Sequence, residues 1–451
     1  MNLNDIHKIY FLGIGGIGMS AIARYFLSNG IKIYGYDKTP TKLTSELIAE
    51  GIIIHFKEDV ESIPEDIDLV IYTPAIPKEH LEYKYFLKNN YQIKKRSEIL
   101  GMITNSNIGI GIAGTHGKTT ISTMLASIMK GSSVDCSAFL GGISKNFDSN
   151  LLLSNKSNYV VIEADEFDRS FLQLKPQIAI VSSVDADHLD IYGDKNELKK
   201  SFEEYINQIK ENGILIIKKG IELKYSNKNI SVFTYSLNDI NSDYYAINIV
   251  IKDGCYSYDL VHPKGIIRDV KLGYPGLHNV ENAIAAVSVA LNTGVNESEI
   301  KEALLNFLGV KRRFDYRLKT EKLVYIDDYA HHPEEIRTCI NSVRHLYPDK
   351  KLTGVFQPHL YSRTRDFADE FAKSLELLDE VILLDIYPAR ELPIKGIDSK
   401  MLLDKIKIKA KFLYSKDELL NNLLNHNIEV LLTLGAGDID QLVEPIEKLL
   451  T

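Results

Sequence analysis

IGIGIAGTHGKTTISTMLASIM, residues 108–129, decides how this chain folds. The stretch 108–113 is an apolar run of strand length, GTHGKTT (114–120) is a glycine turn, and the apolar residues of 121–129 suit a helix. A strand, a glycine turn and a helix N-terminus make a phosphate cradle. Backbone N–H groups point at the anion, a lysine adds a point charge, and a threonine hydroxyl can reach Mg²⁺. The predicted cradle is Gly114, Thr115, His116, Gly117, Lys118, Thr119 and Thr120. Strict Walker spacing would put the first glycine at 112, where Ile112 stands, so the fit rests on Gly111 and Gly114. The alternative is a glycine turn that only joins a strand to a helix.

The rest of the chain sets limits on what this cradle can belong to. Its 451 residues predict two or three domains at roughly 100 to 200 residues each. Hydrophobic residues at 45% and charged residues at 25% are those of an ordinary globular protein. A net charge of −8 argues against nucleic acid as the main partner, because phosphate-backbone binding asks for a basic face. Cys136, Cys255 and Cys339 are too scattered for a zinc site, and free thiols suit a reducing cytosol. The N-terminus lacks a basic, apolar and small-residue leader pattern, and no run reaches about 18 apolar residues. No signal peptide and no membrane span are therefore expected, with a cytoplasmic location.

Upstream of the cradle, an apolar strand at 9–12 runs into GIGGIG, Gly13 to Gly18, and a helical stretch. A second strand at 31–36 ends at Asp37, near the distance at which a Rossmann unit places its ribose-binding acid. A lone GxGxxG serves any nucleotide diphosphate, so NAD is one option among several. Further strands at 52–56 and 69–73 make this a Rossmann-like domain, residues 1–103, bounded by the polar patch 104–107.

Downstream, the strand 159–162 runs into Glu163, Asp165, Glu166 and Asp168, and the strand 178–181 leads to Asp185, Asp187, His188 and Asp190. Ligands of an open parallel sheet sit beyond the C-terminal ends of its strands. Phosphate-binding amides, Glu163 and His188 would thus share one rim, as a metal–nucleotide site requires, whereas Asp190 reads as a turn residue. Residues 230–274 turn to short β-rich runs with a hairpin at Asp253 and Gly254, and a buried helix follows at 278–291. Asn279 and Asn282 sit at its start on nearly one face, where they either read an adenine edge or cap the helix. The central domain is expected to be a P-loop ATPase-like α/β unit with appended antiparallel strands, residues 104–308.

The third domain, 309–451, alternates strands and helices and is expected to be Rossmann-like α/β again. Its strand at 323–326 is followed by Asp327, Asp328, Tyr329, His331 and His332, ahead of a helix that starts at Pro333. The next strand ends in QPHLYSRTRD, with His359, Arg363 and Arg365. Two charge-dense loops after consecutive strands point to a binding site.

GIGGIGMS, GTHGKTT, EADEFDRSF, DADHLDIYG, HNVENAIAA, RRFD, DDYAHHPEEI, FQPHLYSRTRD and GAGDI occur here in the order seen in the Mur ligases of peptidoglycan synthesis, and the chain resembles that family over nearly its whole length. DDYAHHP and FQPH look most like the branch that attaches the first amino acid. The resemblance implies an ATP-dependent ligase whose substrates are UDP-N-acetylmuramate, ATP and L-alanine, acting as a monomer or homodimer. It places Gly15, Gly16, Ile17 and Gly18 under the UDP diphosphate and Asp37 near the uridine. It also implies that Gly114, Lys118, Thr119 and Thr120 bind ATP, that Thr119, Glu163 and His188 hold Mg²⁺, and that Asn279 and Asn282 contact adenine. Arg313 and Asp328 would complete the nucleotide site, and Tyr329, His331, His359 and Arg363 would form the amino-acid pocket, with closure of the third domain. The family usually has arginine after the FQPH histidine; this chain has Leu360, which leaves Arg363 for the carboxylate contact. The rival readings are a muropeptide ligase that joins a tripeptide to the same UDP-sugar, a nicotinamide dehydrogenase built on GIGGIG and Asp37, and a non-catalytic nucleotide-binding module.

Overall fold

The computed structural model describes residues 6–185, 192–226, 229–252, 255–389 and 391–451. These form two compact units, one of Met1–Ile249, Ser257–Lys271 and Glu281–Phe307, the other of Val250–Tyr256, Leu272–Val280 and Leu308–Thr451.

The first unit contains one parallel sheet and one that is parallel except at an edge. One is built from β1 (Lys8–Leu12), β2 (Lys32–Tyr36), β3 (Ile53–His55), β4 (Leu69–Tyr72) and β5 (Ile93–Lys95) in the order β3-β2-β1-β4-β5. All neighbours are parallel. Four of the five β1 residues are buried, as a strand covered on both faces requires. The strand order reverses between β1 and β4, which opens a crevice at their C-terminal ends. The glycine turn sits there and feeds α1 (Ile17–Ser28), which begins within the GIGGIG run. The remaining helices of this layer are α2 (Lys42–Ala49), α3 (Leu81–Lys88) and α4 (Arg96–Asn105).

The second sheet comprises β6 (Ile108–Ala113), β7 (Ser137–Ser144), β8 (Ser149–Leu152), β9 (Tyr159–Glu163), β10 (Ile178–Val181), β11 (Ile214–Lys218) and β12 (Ser231–Tyr235), ordered β12-β11-β10-β6-β9-β7-β8. Only the β7–β8 pair is antiparallel among the pairings within it. Strand β6 is central, and α5 (Lys118–Lys130) follows it. The sequence pattern suggests a glycine pair at 141 and 142 and then a polar loop before the strand at 159–162; the segment forms the β7–β8 hairpin, because Gly141 and Gly142 interrupt the apolar pattern without ending the strand. One core runs through both layers of this unit, from Phe11, Ile22 and Phe26 to Phe139, Phe171 and Tyr205. Buried Asn150 of β8 ties them together, donating to Ile17 O at 2.6 Å and accepting from Arg24 Nη1 at 2.7 Å.

A three-stranded sheet, β13 (Tyr245–Lys252), β14 (Cys255–His262) and β15 (Gly265–Leu272), has neighbours in chain order. Two residues separate β14 from β15, a length that suits an antiparallel hairpin. The expected turn at Asp253 and Gly254 lies outside the described residues. The helices α6 (Lys195–Asn207), α7 (Leu277–Asn292) and α8 (Glu297–Leu305) complete the central part.

The second unit carries a six-stranded sheet of β16 (Asp315–Lys319), β17 (Val324–Asp328), β18 (Leu352–Phe356), β19 (Glu380–Leu383), β20 (Lys411–Leu413) and β21 (Val430–Leu434), ordered β16-β17-β21-β18-β19-β20. It is parallel apart from edge strand β16. Helix α9 (Pro333–Leu346) begins with proline in its first turn, as the sequence predicts, and buries Ile336, Ile340 and Val343. Strands β17, β18 and β21 lie side by side, so their terminal loops meet at one rim.

Candidate active site

The phosphate loop is shaped by two glycines with positive φ. Gly114 (φ 138) leaves β6, and Gly117 (φ 84) caps α5, conformations that side-chain-bearing residues rarely adopt. The loop after β10 pins it. Ser183 Oγ accepts from His116 N at 2.7 Å and from Thr115 Oγ1 at 2.9 Å, while Ser182 Oγ donates to His116 O at 2.5 Å. Thr119 and Thr120 are buried at the start of α5. Asn282 stands over Gly117, where an added Cβ would come within 2.9 Å of its Oδ1.

Lys118 leads away from the helix and meets a carboxylate. Its Nζ donates to Gly114 O at 2.7 Å and to both carboxylate oxygens of Glu166, at 2.9 and 2.8 Å. Glu166 is wholly buried. Burial works against the lysine's charge, but Glu166, Asp165 and Glu163 outweigh it and hold the ammonium above the ordinary lysine range. Burial likewise pushes the Glu166 carboxyl up, and Lys118 opposes that shift. Tyr192 fastens the loop by donating to Glu166 O at 2.5 Å. Asp168 (φ 51) and Arg169 (φ 54) are consecutive residues in the left-handed region, a strained arrangement of the kind found where side chains must be aimed. Glu163 ends β9 beside Gly141 of β7, whose bare Cα makes room for its carboxylate; a Cβ there would overlap it.

At the first sheet, Gly13 turns with φ 83 and Gly16 caps α1. Asp37 accepts from Gly15 N at 2.7 Å, so its carboxylate braces the glycine turn from the end of β2. Arg96, the first residue of α4, lies against Gly18 and pairs with Asp165 at 3.3 Å.

In the second unit, the loops after β17 and β18 gather the predicted polar residues. Asp328 accepts from Phe314 N at 2.6 Å and Ala330 N at 2.7 Å. Burial nevertheless raises its pKa to about 6, against the pull of Arg313 and these amides. The Tyr329 ring has Arg313 over it at 5.0 Å and Arg312 at 5.3 Å. The His331 ring lies 5.2 Å from that of Tyr329 and 5.9 Å from that of His359. His331 Nδ1 faces Tyr329 O at 3.0 Å and Glu335 Oε2 at 3.4 Å. His359 stacks on Tyr387 at 5.7 Å, and Arg363 lies on the short helix Tyr361–Asp366 that follows.

Asn279, buried in the first turn of α7, donates to Pro275 O at 2.5 Å, a bond to a carbonyl four residues back. Asp187, His188 and Asp190 lie outside the described residues. Among the described residues no three His, Cys, Asp or Glu side chains cluster as a metal site. Mg²⁺, however, is usually held by one or two carboxylates together with substrate phosphates, and the cradled Glu163 carboxylate next to the phosphate loop fits that donor set. Sequence spacing did not single out Arg96, Glu166, Ser182, Ser183 or Glu335. Glu166 did fall in a motif, but only its burial against Lys118 marks it.

Three family models match the chain in order: "Mur ligase family, catalytic domain" over 8–107, "Mur ligase middle domain" over 112–290 and "Mur ligase, glutamate ligase domain" over 312–437. The chain belongs to the Mur ligase family. It is 51% identical over 456 residues to the UDP-N-acetylmuramate–L-alanine ligase of Parabacteroides distasonis, covering 100% of this chain and 98% of that one. The structure of the UDP-N-acetylmuramate–alanine ligase of Thermotoga maritima superposes with a TM-score of 0.83 at 29% identity, covering 98% and 99% of the two chains. A murein peptide ligase from Psychrobacter arcticus shares the fold, with a TM-score of 0.73 at 23% identity and 98% of each chain covered. The three-domain α/β architecture is thus that of a Mur ligase, with two layers in the first unit and one in the second. No described helix is long and apolar enough to cross a membrane.

Proposed function

We propose that this Mur ligase joins L-alanine to the carboxylate of UDP-N-acetylmuramate, converting ATP to ADP and phosphate, in the cytoplasm. The observation that carries the reading is Lys118, held protonated at the C-terminal end of the central strand within a glycine cradle, in a chain about half identical to alanine-adding ligases. We assign the UDP-sugar to residues 1–103, ATP to 104–308 and the amino acid to 309–451.

A carboxylate is a poor electrophile and needs activation. The sugar's carboxylate oxygen attacks the γ-phosphorus, giving an acyl phosphate and ADP; the alanine amine then attacks the acyl carbon, and the tetrahedral intermediate expels phosphate. Gly114, Thr115, His116, Gly117, Lys118, Thr119 and Thr120 cradle the triphosphate, with Lys118 as the preorganised charge for the oxygens that gain negative charge. Thr119, Glu163 and His188 would hold Mg²⁺, which neutralises phosphoryl oxygens when bound. Asn282, beside Gly117, serves the nucleotide together with Asn279, Arg313 and Asp328. Gly15, Gly16, Ile17, Gly18 and Asp37 take the UDP end. Tyr329, His331, His359 and Arg363 receive the amino acid, whose carboxylate suits an arginine.

Phosphate release from ATP, measured with UDP-N-acetylmuramate and each candidate amine in turn, tests the reading. Release that requires both the sugar and L-alanine is expected. Faster turnover with a tripeptide would assign the chain to the muropeptide ligases, and release needing neither sugar nor amine would end the ligase reading.

A further inference from the structure

Arg96 has no task in the reaction just described, yet it stands between two of its sites. It opens α4 directly after β5, and its guanidinium crosses the first turn of α1: a Cβ built on Gly18 would overlap Nη1 and stand 3.3 Å from Cζ. The same guanidinium donates through Nη2 to Asp165 Oδ2 at 3.3 Å. Asp165 lies two residues beyond Glu163 and one before Glu166, the residue that grips Lys118. A single cation therefore reaches from the UDP turn to the acidic loop beside the ATP lysine.

A cation in that interval adds to what Mg²⁺ supplies on the phosphoryl oxygens. The sugar carboxylate must approach a triphosphate, and two anions resist each other at close range. Lys118 is committed to the phosphoryl oxygens, and Lys95, the neighbour of Arg96, is paired with Asp168 at 3.1 Å. A guanidinium is planar and its N–H groups match both oxygens of a carboxylate, which a lysine cannot do. In this structure Arg96 already holds a carboxylate, that of Asp165, at 3.3 Å.

We propose that Arg96 binds the lactyl carboxylate of the UDP-sugar and aims it at the γ-phosphate, and that Asp165 occupies that place until substrate arrives. The proposal rests on the ligase reading above. It predicts opposite effects for the two partners: loss of Arg96 weakens substrate binding, whereas neutralising Asp165 removes a competitor.

Calorimetric titration of the full chain without ATP tests it, using UDP-N-acetylmuramate and UDP-N-acetylglucosamine, which lacks the lactyl carboxylate. Arg96→Gln is expected to weaken the first ligand about 10- to 100-fold, the worth of a charged hydrogen-bonded contact, and to leave the second within about 2-fold. Asp165→Asn is expected to tighten the first ligand alone. Equal weakening of both ligands by Arg96→Gln would give Arg96 to the diphosphate and overturn the proposal, as would no change with either. Should Arg96→Gln not fold, Asp165→Asn decides: tighter binding of the carboxylate ligand supports the assignment, and unchanged or weaker binding rejects it. If the wild-type chain binds neither UDP-sugar, the ligase reading fails first.

Discussion

Glu166 closes on the ammonium of Lys118 with both carboxylate oxygens, at 2.9 and 2.8 Å, in a setting where the glutamate has no exposed surface. In the proposed reaction a triphosphate entering the cradle shares or displaces that partner, and Glu166 stands in for the phosphate charge until then. Removing one member of a buried pair strands the other, at a cost of about 3–5 kcal/mol.

Glu166→Gln should therefore lower the melting temperature of the free protein, and a non-hydrolysable ATP analogue with Mg²⁺ should restore more of it than the same ligand adds to wild type. Scanning calorimetry with and without the analogue measures this. An equal ligand-induced increment in both proteins would show that Glu166 is not a phosphate stand-in.

Lys118→Ala removes the charge that the proposed mechanism sets against the developing phosphoryl negative charge. We expect turnover to fall on the order of 10²- to 10³-fold, as for loss of one preorganised electrostatic partner. Binding of UDP-N-acetylmuramate, measured separately, should persist. Near wild-type turnover would remove Lys118 from the mechanism.

Gly141→Ala places a methyl group where the Glu163 carboxylate lies. The glycine's φ is not in the left-handed region, so the fold should survive while the carboxylate is pushed aside. The Mg²⁺ concentration for half-maximal activity should rise about 10- to 100-fold, the usual effect of disturbing a metal ligand's support. An unchanged Mg²⁺ titration would count against Glu163 as a ligand.

Asp328 supplies a pH signature. Its folded pKa of about 6 lies above the ordinary value of 3.8, because burial outweighs Arg313 and two amides. A raised folded pKa contributes stability that is fully present below the unfolded pKa and is lost as pH climbs through the folded one. Between about pH 4 and pH 7 wild type should lose about 2–3 kcal/mol relative to Asp328→Asn, since each tenfold difference in proton affinity between the folded and unfolded chain is worth about 1.4 kcal/mol. Urea unfolding of both proteins across that range gives the difference, and a flat difference would refute it.

Much of the architecture was legible because its signals are local. The strands at 9–12, 108–113 and 178–181 announce themselves as apolar runs, and glycine turns mark the helix starts at Gly16 and Gly117. The hairpin at 137–152 was not legible, since glycines within a strand break the apolar pattern that defines it. Asn279 and Asn282 looked equivalent by spacing, yet one donates to a carbonyl four residues back and the other stands over Gly117.

By itself the sequence determined the order of strands and turns, the family, and which residue types cluster after which strands, because helical and strand periods and turn chemistry act over a few residues. Only the tertiary structure decided which charges meet. Glu166 reaches Lys118 across 48 residues and Arg96 reaches Asp165 across 69, and neither separation has a period that spacing could reveal. The surroundings then set what those meetings do: the carboxylates beside Lys118 hold it charged against burial, and burial raises Asp328 towards neutrality, since the cost of removing a charge from water depends on everything packed around it.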